Sequence, residues 1–191
     1  MKSIPYSPIA RKRRHTISTP KSEWKKFRPG RFLYHLSYTG KFNQSVDNKL
    51  LNRLSFATEG ICGIEKGLGG VWANNQMKNV NHLWPICYDS WGLNINEHLK
   101  FIYEFDVWRI DTSMVNNVWY LDPNLINDPE SRGGGADDYL YCENAVHPRA
   151  LKLFTLSVND YRYLYEDGNL DEFKLEPVDV INNFIRHKWW K

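Results

Sequence analysis

Tyr139-Leu-Tyr-Cys-Glu-Asn-Ala-Val-His-Pro-Arg-Ala-Leu-Lys-Leu-Phe-Thr-Leu-Ser-Val158 is the stretch on which the reading of the fold turns. A short apolar strand ends in an acid, Glu143. A turn closes at Pro148, and Leu151 to Val158 alternates as a second strand. Just upstream lies Ser131-Arg-Gly-Gly-Gly-Ala-Asp-Asp138, the sequence with the least side chain to order it. A carboxylate at a strand end beside a glycine loop is one way to present an acid to a ligand. Taken alone, Glu143 reads equally as a solvated strand-end residue.

Working outward, Lys100 to Asp111 is the clearest strand. Phe101, Tyr103, Phe105 and Val107 alternate there with Ile102, Glu104, Asp106 and Trp108. Val118 to Leu121 reads as a further strand, and residues 124–138 as a long loop. Phe32-Leu-Tyr-His-Leu-Ser37 is the first strand, bounded by Gly30 and Gly40. Ser45 caps a short helix to Arg53, with Val46, Leu50, Leu51 and Leu54 as its apolar face. Thr58 to Gly70 is a glycine-rich connection without the Gly-Lys-Ser/Thr ending of a phosphate loop. Gly70-Val-Trp-Ala73 reads as a brief strand, followed by a helix from Asn75 to Trp84 that Pro85 stops. Tyr161 to Leu175 reads as a hairpin around Asp167-Gly168-Asn169, and Pro177 as the start of a last helix with Val178, Ile181 and Ile185 inward. Short helices come early, most strands come late, and no regular strand–helix alternation exists. The expectation is therefore an α+β domain with a bent, mainly antiparallel sheet and short flanking helices, not a doubly wound sheet.

The chain has 191 residues, 42% of them hydrophobic, which fits one domain with a real core. Its net charge of +3 hides an asymmetry. Residues 1–31 hold ten Lys/Arg and one acid, Glu23, whereas residues 32–191 hold fifteen Lys/Arg and twenty-one acids. With Pro5, Pro8, Pro20 and Pro29, the first segment reads as an extended basic arm on an acidic domain spanning 32–191. Such an arm points to contact with a polyanion or to a solvated tail. Trp24 and Phe27 are the residues that would pin its end to the body. No apolar run reaches membrane-spanning length and no signal-peptide core opens the chain, so no membrane partner and a cytoplasmic location are expected. Cys62, Cys87 and Cys142 have no paired spacing, and no Cys/His cluster has zinc-ligand spacing.

Three features carry the functional reading. His35 sits inside the first strand, in Tyr34-His35-Leu36-Ser37, where one ring nitrogen can meet a ligand hydroxyl while the other fixes the ring. A histidine bonded to backbone in a core is the plainer reading of that residue. Gly69-Gly-Val-Trp-Ala-Asn-Asn75 combines close glycines with the flat face of Trp72. A core tryptophan is the plainer reading there. The third feature is Glu143 after its glycine loop.

Taken in order, these motifs resemble the ADP-ribosyltransferase superfamily. The branch is the His–aromatic–Glu one of diphtheria-type toxins and poly-ADP-ribose polymerases. The resemblance spans roughly residues 32–158. Tyr34-His35-Leu36-Ser37 is similar to the family's opening strand, Gly70-Val-Trp-Ala73 to its second motif, and Tyr141-Cys-Glu143 to its catalytic-glutamate strand. The resemblance implies a split sheet that clamps NAD as substrate, and transfer of ADP-ribose to a macromolecular acceptor, a glycosyl-transfer reaction. It implies that Tyr34, His35, Ser37 and Trp72 hold the NAD. It also implies that Glu143, with His35, serves catalysis by stabilising an oxocarbenium-like centre. The loop 128–138 stands where the family places substrate recognition. This chain has Trp72 where the family carries tyrosine or Ser-Thr-Ser, and Ser55-Phe-Ala-Thr58 is the other stretch that could serve as second motif. Tyr141 stands where arginine-targeting members carry Gln or Glu. The competing reading is a non-catalytic module, such as a viral accessory protein, that binds nucleic acid or protein through the basic arm and an aromatic cleft.

Overall fold

The structure, a computed structural model, describes residues 17, 19–38, 46–61, 70–75, 103–123, 139–158 and 175–190. Its strands are β1 (Lys26–Phe27), β2 (Phe32–Tyr38), β3 (Val71–Asn74), β4 (Tyr103–Asp111), β5 (Trp119–Leu121), β6 (Tyr139–Cys142), β7 (Leu151–Val158) and β8 (Glu176–Pro177). Its helices are α1 (Val46–Glu59) and α2 (Asp179–Trp189). The fold is α+β. The eight strands form one antiparallel sheet in the order β1-β5-β6-β3-β2-β4-β7-β8.

The ladder is uneven. Strand β2 pairs with β4 along its whole length, from Phe32↔Asp111 to Tyr38↔Phe105. Among the described residues it pairs with β3 only at Tyr34↔Asn74. In the described residues the sheet thus has two four-stranded halves, β1-β5-β6-β3 and β2-β4-β7-β8, joined at one register pair.

Cross-strand partners project to the same face, so the register sorts the side chains. Leu33, Trp108, Ile110, Leu151 and Leu153 share one face with Val71, Ala73, Leu140 and Cys142, and all are buried. The two helices cover that face. Ile181 and Ile185, one turn apart on α2, are each 2% exposed and join the same core as Ala57 and Ile61. Burying each such side chain stabilises the fold by roughly 1.5–3 kcal/mol.

Specific polar contacts fix the helices on the sheet. The Asn182 side chain donates to the Leu153 carbonyl (2.9 Å) and accepts from the Leu153 amide (2.8 Å), standing in for a neighbouring strand at the β7 edge. The Trp189 indole donates to the Ala57 carbonyl at 2.9 Å and ties α2 to α1. Arg53 on α1 forks onto Asp106 on β4 at 2.6 and 2.9 Å, and Asp106 is 1% exposed.

The helix α1 runs six residues beyond its expected end at Arg53. The Thr58 hydroxyl donates back to the Leu54 carbonyl inside the helix. The helix stops at Gly60, whose φ of 88° only glycine adopts freely and whose amide still reaches the Phe56 carbonyl. Of its expected apolar face, Leu54 packs on the core but Leu50 and Leu51 do not. Leu50 and Leu51 are 48% and 62% exposed, while Leu54, Phe56 and Ala57 meet the core, because the C-terminal half of α1 is what lies on the sheet. Pro177 does not open α2. It pairs with Phe154 in β8, and the helix begins at Asp179, a carboxylate suited to a helix N-terminus.

Residues 19–31 are docked on the domain. Strand β1 pairs with β5, Thr19 is buried and donates to the Pro123 carbonyl at 2.6 Å, and the Trp24 indole donates to the Thr19 carbonyl. Trp24 and Phe27 thus anchor the segment, as their aromatic character requires. The rest of the basic arm, the helix expected over 75–84, the loop 124–138 and the hairpin over 161–175 lie outside the described residues. No described helix is long and apolar enough to cross a membrane.

Candidate functional site

The three strands that carry the singled-out motifs are direct neighbours, in the order β2, β3, β6. The junction between β2 and β3 is where His35 sits. Its Nδ1 lies 2.7 Å from the Trp72 carbonyl oxygen. A carbonyl only accepts, so Nδ1 carries the proton. Burial holds the His35 pKa below the ordinary histidine value, against the opposing pull of the Trp72 carbonyl. The ring is therefore neutral at pH 7, and Nε2 presents a lone pair with no hydrogen-bond donor among the described residues. Phe56 of α1 stands edge-on to the imidazole at 6.1 Å and to Trp108 at 5.5 Å.

The register places the other candidates elsewhere. Trp72 pairs with Tyr141, and the two rings pack at 4.7 Å on the face opposite His35. Only the Trp72 backbone meets the imidazole. Tyr34, adjacent to His35 in an extended strand, also faces away from it. Ser37 lies opposite Asp106 in the register. Ser55 and Thr58, the alternative second motif, lie within α1 and not on a strand.

Glu143 follows β6, on the Tyr141 side. Its carboxylate is held by Lys21 through contacts of 2.9 and 2.7 Å. Lys21 also lies 5.7 Å from the ring of Trp24, which stands edge-on to Tyr141 and Tyr120 at 5.4 Å each. The hydrogen bond to Glu143 raises the Lys21 pKa. Burial, then the Glu143 charge, raise that of Tyr141. The expectation that His35 and Glu143 face one pocket is thus corrected. The alternation of side chains along β2, β3 and β6 puts them on opposite sides of the sheet, and the Glu143 carboxylate is taken up by an ion pair.

The turn after Glu143 is built to hold shape. The Asn117 amide donates to the Asn144 and Ala145 carbonyls at 3.2 and 3.1 Å and to the Cys142 sulfur at 3.2 Å. Ile61 and Val146 exchange two backbone hydrogen bonds. Burial raises the Cys142 pKa, so this free thiol stays protonated at neutral pH. Gly70 lets β3 pass against Tyr141, because a β-carbon there would run into the tyrosine ring.

Lys21 and Asn117 escaped the reading of the sequence, and Trp24 and Phe56 entered it only as an anchor of the arm and as part of the alternative second motif. Lys21 is 122 residues from Glu143, and no local pattern announces such a pairing. Among the described residues, no group of three His, Cys, Asp or Glu side chains could hold a metal ion.

No family model matches this chain, and no curated protein and no solved structure matches it either.

Proposed function

We propose that the chain is an ADP-ribosyltransferase-like domain that binds NAD at the β2–β3 junction and, among the described residues, lacks the carboxylate that transfer of ADP-ribose would need. The observation that carries this reading is the junction itself. Among the described residues two half-sheets meet at one register pair, Tyr34↔Asn74, and His35 is fixed beside it by the Trp72 carbonyl with Nε2 left as an acceptor. A ribose hydroxyl is a donor of the right kind for a neutral imidazole held in one tautomer. A sheet joined so narrowly is also what a split, ADP-ribosyltransferase-like fold requires. Glu143 stands outside this site, so NAD binding through His35 is the part of the reading that the geometry supports.

Calorimetric titration of the purified protein with NAD, alongside a nicotinamide-release assay, tests it. NAD binding that His35→Ala weakens at least tenfold, with the fold intact by circular dichroism, supports the proposal. An absence of NAD binding, or equal binding by His35→Ala, removes it.

A further inference from the structure

A second site lies beside α2 on β2, β4 and β7, where Arg109 and Lys152 project from the sheet face opposite His35. Arg109 and Lys152 are direct cross-strand partners on β4 and β7. Like charges opposite each other in a sheet destabilise it unless something neutralises them. Neither makes an ion pair among the described residues; both lie on aromatic rings instead. The Arg109 guanidinium is 4.4 Å from the Phe32 ring centroid and 5.3 Å from that of Phe154. The Lys152 ammonium is 5.1 Å from the Phe154 ring, and Arg31 is 5.0 Å from Phe32. The result is a row of alternating cations and aromatic rings across three strands.

The row borders a pocket of about 260 Å³ whose lining includes Phe32, Arg109, Arg149, Lys152, Arg186 and Trp190. Arg149 and Arg186 also form no ion pair among the described residues. The one carboxylate in the lining, Asp111, is engaged by Arg31 at 3.2 Å and by the Ser113 amide at 3.1 Å. Trp190 is 61% exposed at the pocket wall. The volume falls below the roughly 300–1,000 Å³ of pockets that enclose a whole small molecule. It suits one segment of an extended ligand.

The geometry points to a binding site for single-stranded nucleic acid on this surface, with Arg109, Arg149, Lys152 and Arg186 on phosphates and Trp190 as the stacking face. Unpaired cations alone would fit any polyanion. Their interleaving with rings selects a polymer that carries both phosphates and exposed planar bases. A duplex hides its base faces, and an acidic peptide does not repeat a planar ring beside each charge as a nucleotide chain does. The site is independent of NAD binding at His35.

Fluorescence anisotropy of a dye-labelled oligothymidine, titrated with the full chain over a salt series, tests the assignment. The double variant Lys152→Gln/Arg186→Gln alters exposed side chains only. It is expected to weaken binding about tenfold or more and to lower the log–log salt slope by about 1.4, at about 0.7 for each phosphate no longer neutralised. Trp190→Ala is expected to weaken binding about fivefold or more with the slope unchanged. Oligothymidine should out-compete a DNA duplex of equal length. If the double variant binds and responds to salt as the wild type does, binding belongs to the basic N-terminal residues and the proposal fails. If Trp190→Ala binds normally, or duplex and heparin compete as well as the single strand, the site is a general polyanion surface and the proposal also fails.

Discussion

The imidazole of His35 donates through Nδ1 to the backbone carbonyl of Trp72, beside Tyr34↔Asn74, the one register pair that joins the two halves of the sheet among the described residues. This bond takes the place of a ladder hydrogen bond at a point where the ladder is nearly absent. It also fixes which nitrogen can accept from a ligand.

The desolvation of half-buried His35 gives stability a pH dependence with a definite sign. Its folded pKa lies below the unfolded value, so below about pH 6.5 the unfolded chain binds a proton that the folded chain refuses. No stability is lost at higher pH, where both states are neutral. Stability should fall as pH drops from about 6.5 toward the folded pKa. Denaturant titrations at neutral and mildly acid pH should show this fall in the wild type and a shallower one in His35→Gln. An identical fall in both proteins would assign the effect to other groups.

Glu143→Gln should leave NAD binding and nicotinamide release close to wild type, because its carboxylate pairs with Lys21 away from His35. The Lys21 pKa, raised by that hydrogen bond, should fall back toward its ordinary value. NMR titration of the lysine side chain reads the second effect. A collapse of turnover with NAD binding intact would show that Glu143 reaches the reacting ribose after all.

Arg53→Met should be among the most damaging single changes on α1. It leaves the Asp106 carboxylate, with its side chain 2% exposed, without its guanidinium. Breaking a buried ion pair from one side costs about 3–5 kcal/mol. The double variant Arg53→Met/Asp106→Leu should recover much of that loss. Chemical denaturation of the four proteins in the cycle measures it, and strict additivity would mean that the pair is not coupled.

Asn182→Ala removes the acceptor of the Leu153 amide at a position where Leu153 is buried, while the Leu153 carbonyl keeps the Val178 amide as a donor at 3.1 Å. The amide left unpaired costs about 1–3 kcal/mol. Asn182→Asp keeps the acceptor for the amide but sets a carboxylate against a carbonyl oxygen, so it should rescue little. Full stability in Asn182→Asp, measured by denaturant titration, would show that only the amide contact matters.

Much of the sheet was legible in the sequence because its strands announce themselves by period. Tyr103 to Asp111 and Leu151 to Val158 alternate cleanly, and they pair with each other over eight positions. The two-residue strands β1 and β8 have no period to read and exist only because β5 and β7 offer edges. The site was less legible. That His35 belongs to a strand follows from its neighbours, but which face it takes relative to Glu143 depends on two intervening registers, β2–β3 and β3–β6. A shift of one residue in either would reverse the answer. The Asn182 and Asn117 clamps satisfy backbone groups of segments distant in sequence, and an asparagine carries no local mark of such a partner.

The narrow junction between β2 and β3 has a topological consequence. One half of the sheet is built from β1, β3, β5 and β6, the other from β2, β4, β7 and β8. The polypeptide shuttles between them, so neither half is a contiguous piece of chain that could be excised and refolded. Each must wait for segments made late in synthesis: β2 for β4 and β7, β1 for β5. Such interlacing raises contact order and slows assembly. Yet once assembled, the two halves share few ladder bonds at their border among the described residues. That combination separates the cooperativity of folding from the cooperativity of opening. The molecule has to be made as one unit, while amide exchange in its native state has a route to open along the border without unfolding either half.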